Sequence, residues 1–476
     1  MLSLKKSFLI SGIILFGFVI AKYQKEHTYQ YVITTPPGER YPRVLFNNEE
    51  LIPPFASDTN TYHVISANTL KPNILQIGDI KKEIKIENFE MQPTVSLKIN
   101  GQKIKIHLYS NEYPKYSMKN HIQAKSNNYI SITPFTARCD KPAFNFIISE
   151  EGKLVFYRRT RIDICASDFK QTTLVNGEKV YSYMQQEKAV PPFHYLGGSL
   201  VLMNDKFEVI DSLTIQKTDK HPALMIENHD SLILDKNHYI LSAYHETEIL
   251  NPETEKPVFV AESVIQEIKD GKVVFDWVSS DYPELYTHFK YPNYYFDQRF
   301  HDYMHFNSII IDPKDNNFIV SFASQSSVVK LNRQTGEIMW TLGGSGDDFK
   351  LDEKYHFFGQ HSLSFDDKGN LMLFDNQSID FAARIIKDPK LLEYSRILKF
   401  KLDEENKQIL YAEEIPLDFQ TKSMGSVYQT DKDTYLIAKG NKNTVEKIKV
   451  ENGKTQKIWE LSLTETPTYR AYEIRQ

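Results

Sequence analysis

Cysteine is nearly missing from this chain: Cys139 and Cys165 are the only two in 476 residues. So few exclude a disulfide-dense scaffold, and neither has the neighbours of a nucleophile or a zinc ligand. In an oxidising compartment the two can form one disulfide across the stretch FNFIISEEGKLVFYRRTRIDI; two separate thiols are the alternative. A basic excess is missing too. The net charge is -5 and no Lys/Arg stripe occurs, which argues against nucleic-acid binding. Long helical periodicities are almost absent. The apolar runs are rich in Ile, Val, Phe and Tyr, with 28 Tyr and 29 Phe in all, and such residues favour strands.

One apolar run stands apart, from Phe8 to Ala21, behind Lys5 and Lys6 and ended by Lys22. It is shorter than the ~20 residues of a spanning helix. Residues 1–22 therefore read as a signal peptide or an N-terminal membrane anchor, with Val19 and Ala21 as a weak cleavage site. The expected location is outside the cytoplasm, in the periplasm or anchored facing it, and export favours the disulfide. Residues 23–70, rich in Tyr, Pro and Asn, read as a linker or extended lead-in. Residues 71–135 hold short alternating strands, with Asn100-Gly101 as a tight hairpin, and form a small all-β domain.

From residue 136 onward the sequence repeats. His229, His305 and His361 each open an alternating apolar run, followed by an Asp-containing turn and a second apolar run. Candidate units open near Phe144, Ser199, His229, His305, His361 and Met424. The three tryptophans, Trp277, Trp340 and Trp459, each follow a glycine turn (Gly271, Gly336, Gly453) at one phase of the repeat. Units of this length with four short strands describe propeller blades. Six is the count, though five or seven also fit the spacing. Equivalent positions in a closed array point at a common axis, so the three histidines can converge on one pocket. A single histidine on an inner strand is more often structural; three in phase argue for a site. His238, His245, His288 and His356 have no partner in phase and are read as structural.

Several motifs, taken together and in order, resemble the bacterial arylsulfate sulfotransferases that do not use the nucleotide sulfate donor. They are HDYMHFNSI at 301–309, KLNRQTGEIMWTLGG at 330–344, GQHS at 359–362, LMLFDN at 371–376, SRILKF at 395–400 and SMGSVYQTDKDTYLIAKG at 423–440. The resemblance implies a six-bladed β-propeller over 136–476, preceded by a small N-terminal β-sandwich over 71–135. It implies transfer of a sulfuryl group from a phenolic sulfate ester to a phenol, by a ping-pong route through a sulfohistidine and without a cofactor or metal. His361 matches the family's nucleophile, His305 and His229 the histidines flanking the sulfate as acid/base and stabilising groups, and Asn307 a polar group holding the sulfate oxygens. Neutral imidazole suits the first role and a donating imidazole the others. A phenolic donor and acceptor are the expected partners, and a homodimer is a candidate assembly.

Two positions depart from the family pattern. Ala323 stands where an arginine is usual, which removes a charge-assisted contact to sulfate. Ser321, Ser324 or Gln325 can supply only hydrogen bonds there, and Arg384 or Arg396 are the candidates to reach in from elsewhere. Ser362 stands where Asp is usual. Two other functions therefore remain open: a non-catalytic binding propeller, and a metalloenzyme whose axial histidines ligate iron. The second wants a fourth histidine, and Met424 occupies that phase.

Overall fold

A computed structural model describes residues 28–33, 42–56, 59–99, 101–109, 115–122, 127–135, 139–187, 197–288, 301–379, 391–464 and 466–475. The segment read as a signal or anchor lies outside them, and among the described residues no helix is long and apolar enough to cross a membrane. The protein is all-β, as expected, and the described residues form eight small sheets.

Six of these sheets follow one another along the chain from residue 116. Sheet two runs Ile164–Thr173, Lys179–Glu187, Gly197–Met203, Val209–Leu213. Sheet three runs Leu232–Asp235, His238–Leu250, Pro257–Lys269, Lys272–Val278. Sheet four runs Phe306–Ile311, Phe318–Phe322, Ser327–Leu331, Ile338–Gly343, and sheet five His361–Phe365, Leu371–Asp375, Arg396–Asp403, Gln408–Pro416. Sheet six runs Ser426–Asp431, Thr434–Ala438, Thr444–Glu451, Lys454–Leu463, with Tyr116–Asn120 added at its outer edge. Sheet one is assembled differently. Its middle strands are Tyr129–Pro134, Phe144–Ser149 and Leu154–Arg159, its inner strand is Thr468–Ile474, and its outer strand is Ser66–Asn68.

Alternation of β-branched and aromatic residues makes these strands, and local turn chemistry pairs them. Asp270-Gly271 and Asn452-Gly453 each place two residues at positive φ between directly paired neighbours. That is the two-residue hairpin whose twist matches the strands. Trp277, Trp340 and Trp459 each lie on the fourth strand of their sheet, fully buried, so their common phase in sequence is a common place in space.

The inner strands meet in order. Ser167 Oγ donates to the Asn228 carbonyl, joining sheets two and three. The Asp230 carboxylate accepts from Ile309 N–H and Ser308 Oγ of sheet four, and Ser308 Oγ accepts from Leu363 N–H of sheet five. Ser362 Oγ accepts from Val427 N–H of sheet six, and Ser426 Oγ accepts from Ala471 N–H of sheet one. Arg470 of sheet one then binds Asp168 of sheet two. The hydrophobic core has the same order, with a separate cluster in each gap between neighbouring sheets. At about 1.5–3 kcal/mol for each fully buried aliphatic or Phe side chain, these clusters drive the association.

The units near Phe144 and Ser199 do not open where the sequence suggested. Both segments are third strands, because sheet one borrows its inner strand from residues 468–474 and sheet two begins at Ile164. The stretch 23–70, read as a lead-in, carries five short strands between Thr28 and Asn68. Val44–Phe46 and Glu49–Glu50 pair locally, but the others have distant partners: Thr28–Ile33 pairs with Thr94–Ile99 and Ser66–Asn68 with Leu154–Arg159. Strands of two to six residues, most with remote partners, leave no local period to read. Two four-stranded sheets built from residues 28–107 share one core with sheets one and six, in which Phe46, Leu75, Val95 and Ile106 join Phe146 and Trp459. Thr94–Ile99 and Gln102–His107 pair as a hairpin with Gly101 at φ +91 before the second strand, while Asn100 of the expected turn lies outside the described residues.

Cys139 and Cys165 form a buried disulfide (S–S 2.01 Å, Cα–Cα 4.9 Å) that ties the connection between Tyr129–Pro134 and Phe144–Ser149 of sheet one to the first strand of sheet two. It closes a loop of 26 residues. A Cys165→Ser variant is expected to lose about 2–4 kcal/mol of unfolding free energy. Urea denaturation without reductant measures this, and an unchanged midpoint would show that the link adds no stability.

Candidate active site

His361 is the first residue of the inner strand of sheet five and is buried. Its Nδ1 lies 2.8 Å from the Gly359 carbonyl and 2.9 Å from Asn376 Oδ1. Asn376 Nδ2 donates to the Thr421 and Met424 carbonyls at 3.2 and 2.8 Å, which fixes the orientation of its amide. With acceptors on its Nδ1 side, the neutral ring carries its proton on Nδ1 and its lone pair on Nε2. Burial pushes the pKa of His361 down to about 3, with help from nearby His229 and His305. The ring is thus neutral at physiological pH.

His229 and His305 lie side by side, their ring centroids 4.9 Å apart. Each ring is held by an acidic residue just upstream in sequence. Glu227 Oε2 accepts from the His229 N–H at 2.7 Å and is hydrogen-bonded to its Nδ1. Asp302 Oδ1 accepts from the His305 N–H at 2.9 Å, and Oδ2 meets its Nδ1 at 2.5 Å. His305 has φ +52, a left-handed backbone that costs a non-glycine residue energy and persists where the surroundings demand it.

Tyrosines complete the group. The Tyr469 ring stands edge-on to His229 at 5.9 Å and to His361 at 6.2 Å, bridging the two. Its hydroxyl is buried and makes no hydrogen bond among the described residues. Tyr244 packs against both His229 and His305 at 6.3 Å, its hydroxyl donating to the Phe306 carbonyl. Phe135, which packs on the disulfide, also contacts Tyr469.

Beside the histidines the inner strands carry a buried ion network. Lys170 binds Asp168 at 2.7 Å and Asp230 at 2.9 Å, and Arg470 binds the same two carboxylates at 3.3 and 3.1 Å. Two cations face two anions, so the network is neutral as a whole. Arg470 is nevertheless close enough to His229 to oppose its protonation. Burial first, then His305 and Arg470, hold the His229 pKa well below the usual histidine range.

The structure therefore brings His229, His305 and His361 into one cluster. Asn307 is adjacent. Its Nδ2 donates to the Gln360 carbonyl at 2.5 Å, while its Oδ1 is buried without a hydrogen bond among the described residues. Ala323 follows the second strand of sheet four, its N–H bonded to the His305 carbonyl, so the family's arginine position does border this histidine. Its neighbours are committed elsewhere: Ser321 Oγ accepts from Gln360, and Gln325 donates to the Leu285 carbonyl. Arg396 is bound by Asp375 and the Lys354 and His356 carbonyls, and Arg384 lies outside the described residues. His238 and His245 pair with Glu267 and Glu262, and His356 with the Leu351 carbonyl. Among the described residues, one acidic trio has ligand atoms close enough for a metal: Asp312, Asp315 and Glu404. Lys330 Nζ sits among all three, at 2.7, 2.8 and 2.5 Å.

Sequence reasoning missed Glu227, Asp302, Asn376, Tyr469 and Arg470. Asp302 and Asn376 lay inside quoted motifs. Tyr469 and Arg470 belong to the returning strand, where no repeat flagged them.

Solved structures similar to this chain are remote from it. A protein of unknown function from Bacteroides caccae is 11% identical, with 74% of this chain and 100% of that one covered and a TM-score of 0.44. Virginiamycin B lyase from Staphylococcus aureus is 10% identical (74% and 99% covered, TM-score 0.34). The periplasmic gluconolactonase of Pseudomonas aeruginosa is 8% identical (73% and 99% covered, TM-score 0.35). No curated protein matches the chain. The family model described as Arylsulfotransferase (ASST) matches residues 115–472, a span that takes in every residue of the histidine cluster and most of the chain: the protein belongs to the arylsulfotransferase family.

Proposed function

We propose that this protein transfers a sulfuryl group from a phenolic sulfate ester to a phenol through a sulfated His361. The observation that carries the reading is the hydrogen-bonding of His361, which leaves a lone pair on Nε2 beside two further histidines. In the first half-reaction Nε2 attacks sulfur, the N–S bond forms, and the S–O bond breaks with its electron pair going to the aryl oxygen. The sulfated ring gains positive character, which the Asn376 and Gly359 oxygens at Nδ1–H stabilise. In the second half the acceptor oxygen attacks sulfur and the N–S pair returns to His361. A covalent intermediate of this kind gives ping-pong kinetics.

The surrounding scaffold, in this reading, is a six-bladed propeller. The ordered contacts of the six inner strands and the core cluster in each gap support it, and the two N-terminal sheets act as a sandwich packed against blades one and six. The disulfide supports an oxidising location outside the cytoplasm, in keeping with the apolar run at residues 8–21.

The test is the purified protein with 4-nitrophenyl sulfate and excess phenol. Release of 4-nitrophenolate that depends on the phenol, with phenyl sulfate formed in equal amount, is the expected result. No release with any of several phenols would favour the binding-only reading that Ala323 raises.

A further inference from the structure

We infer that Glu227 and Asp302 are positioning residues that divide the work of the two flanking histidines: Asp302 makes His305 the carrier of the aryl-oxygen proton, while Glu227 keeps His229 a neutral hydrogen-bond donor to the sulfuryl oxygens. The inference rests on the sulfuryl-transfer reading and adds two residues to it.

Both acids use one device. A buried carboxyl group two or three residues upstream takes the backbone N–H and the ring Nδ1 of the same histidine. This double hold fixes the ring and directs Nε2 away from the carboxyl group. His361 has the device without the charge, since the Gly359 carbonyl and an amide oxygen take its Nδ1. An amide leaves a neutral nucleophile; a carboxylate stabilises an imidazolium.

The two acidic pairs differ in their surroundings. Asp230 sits directly beside Glu227, its N–H donating to Glu227 Oε1, and its carboxylate lies in the Lys170–Arg470 network. Arg470 opposes a positive His229, and burial pushes the Glu227 carboxyl up to about 8. A protonated Glu227 donates to Nδ1 and leaves the His229 proton on Nε2, as a donor. Among the described residues, the side-chain hydrogen bonds of Asp302 both go to His305, one from each oxygen. In the first half-reaction the leaving aryl oxygen, holding the S–O electron pair, takes the Nε2 proton of the His305 imidazolium and departs as phenol. In the second, the acceptor phenol gives its proton to His305 Nε2 as its oxygen forms the new S–O bond.

Asp302→Asn keeps the shape and removes a charge; Glu227→Gln keeps the shape and replaces a neutral carboxyl group by an amide, no single atom of which can both accept from the His229 N–H and donate to its Nδ1. Turnover is compared on 4-nitrophenyl sulfate, whose leaving group needs no proton, and phenyl sulfate, whose leaving group does. Asp302→Asn is expected to lose on the order of 10²-fold on phenyl sulfate and less than about 3-fold on 4-nitrophenyl sulfate. Glu227→Gln is expected to lose activity equally on both. Equal losses in Asp302→Asn, or a selective loss in Glu227→Gln, overturn the assignment. A wild-type protein inactive on both esters refutes the sulfuryl-transfer reading instead. A measurement on the wild type alone guards against misfolded variants: ¹⁵N-histidine NMR should show His229 protonated on Nε2 and His361 on Nδ1. His229 protonated on Nδ1 only would overturn the inference.

Discussion

A His361→Ala variant is expected to lose sulfuryl transfer by on the order of 10⁴-fold or more while remaining folded. Loss of a nucleophile differs from loss of a binding group, because nothing else in the cluster can take its place. His229 and His305 have Nδ1 tied to acids, and one of them is opposed by Arg470. The cost to stability is modest by comparison. Removing the ring leaves the Asn376 and Gly359 oxygens without their shared donor, about 1–3 kcal/mol. The decisive measurement is mass spectrometry of protein quenched after mixing with 4-nitrophenyl sulfate and no acceptor. The wild type should gain one SO₃ group on the peptide containing His361, and the variant none. A variant that still turns over at the wild-type rate would mean that sulfur passes directly from donor to acceptor.

The second large effect is expected in stability. An Arg470→Met variant should lose about 3–5 kcal/mol, read by urea denaturation at neutral pH. Asp168 and Asp230 would then face Lys170 alone, leaving one buried negative charge uncompensated. The wild-type network also sets an acid limit. Burial alone would raise the Asp230 pKa, but Arg470 and Lys170 hold it down at about 2. A depressed carboxyl stabilises the fold above the value it has when unfolded, about 4, and this contribution disappears as pH falls from there through about 2. Acid titration of the wild type should show a loss of stability in that window, smaller in the variant. A variant as stable as the wild type would show that Arg470 contributes no more than an apolar side chain of its size.

What the sequence revealed of this site is what repetition made visible. His229, His305 and His361 stand at one phase of successive hairpins, and the three tryptophans mark another, so both places were legible without coordinates. The acids that hold the histidines follow no repeat. Glu227 reaches back over two residues and Asp302 over three, because the approach to each inner strand turns differently. Asn376 supports His361 across a strand pair, and its role depends on two carbonyls of a third segment. Sheet one was misread for a topological reason, since its inner strand lies more than 300 residues from its neighbour and no local pattern encodes that pairing.

That long-range pairing gives the protein an order of assembly. Tyr469 and Arg470 reach the histidines only when Thr468–Ile474 adds to Tyr129–Pro134. Without that strand the chain holds three histidines without their tyrosine and two aspartates without their arginine. The proposed site is therefore closed by the strand most distant in sequence, and a chain cut short before residue 468 would carry every proposed catalytic histidine and still lack Tyr469 and Arg470 beside them.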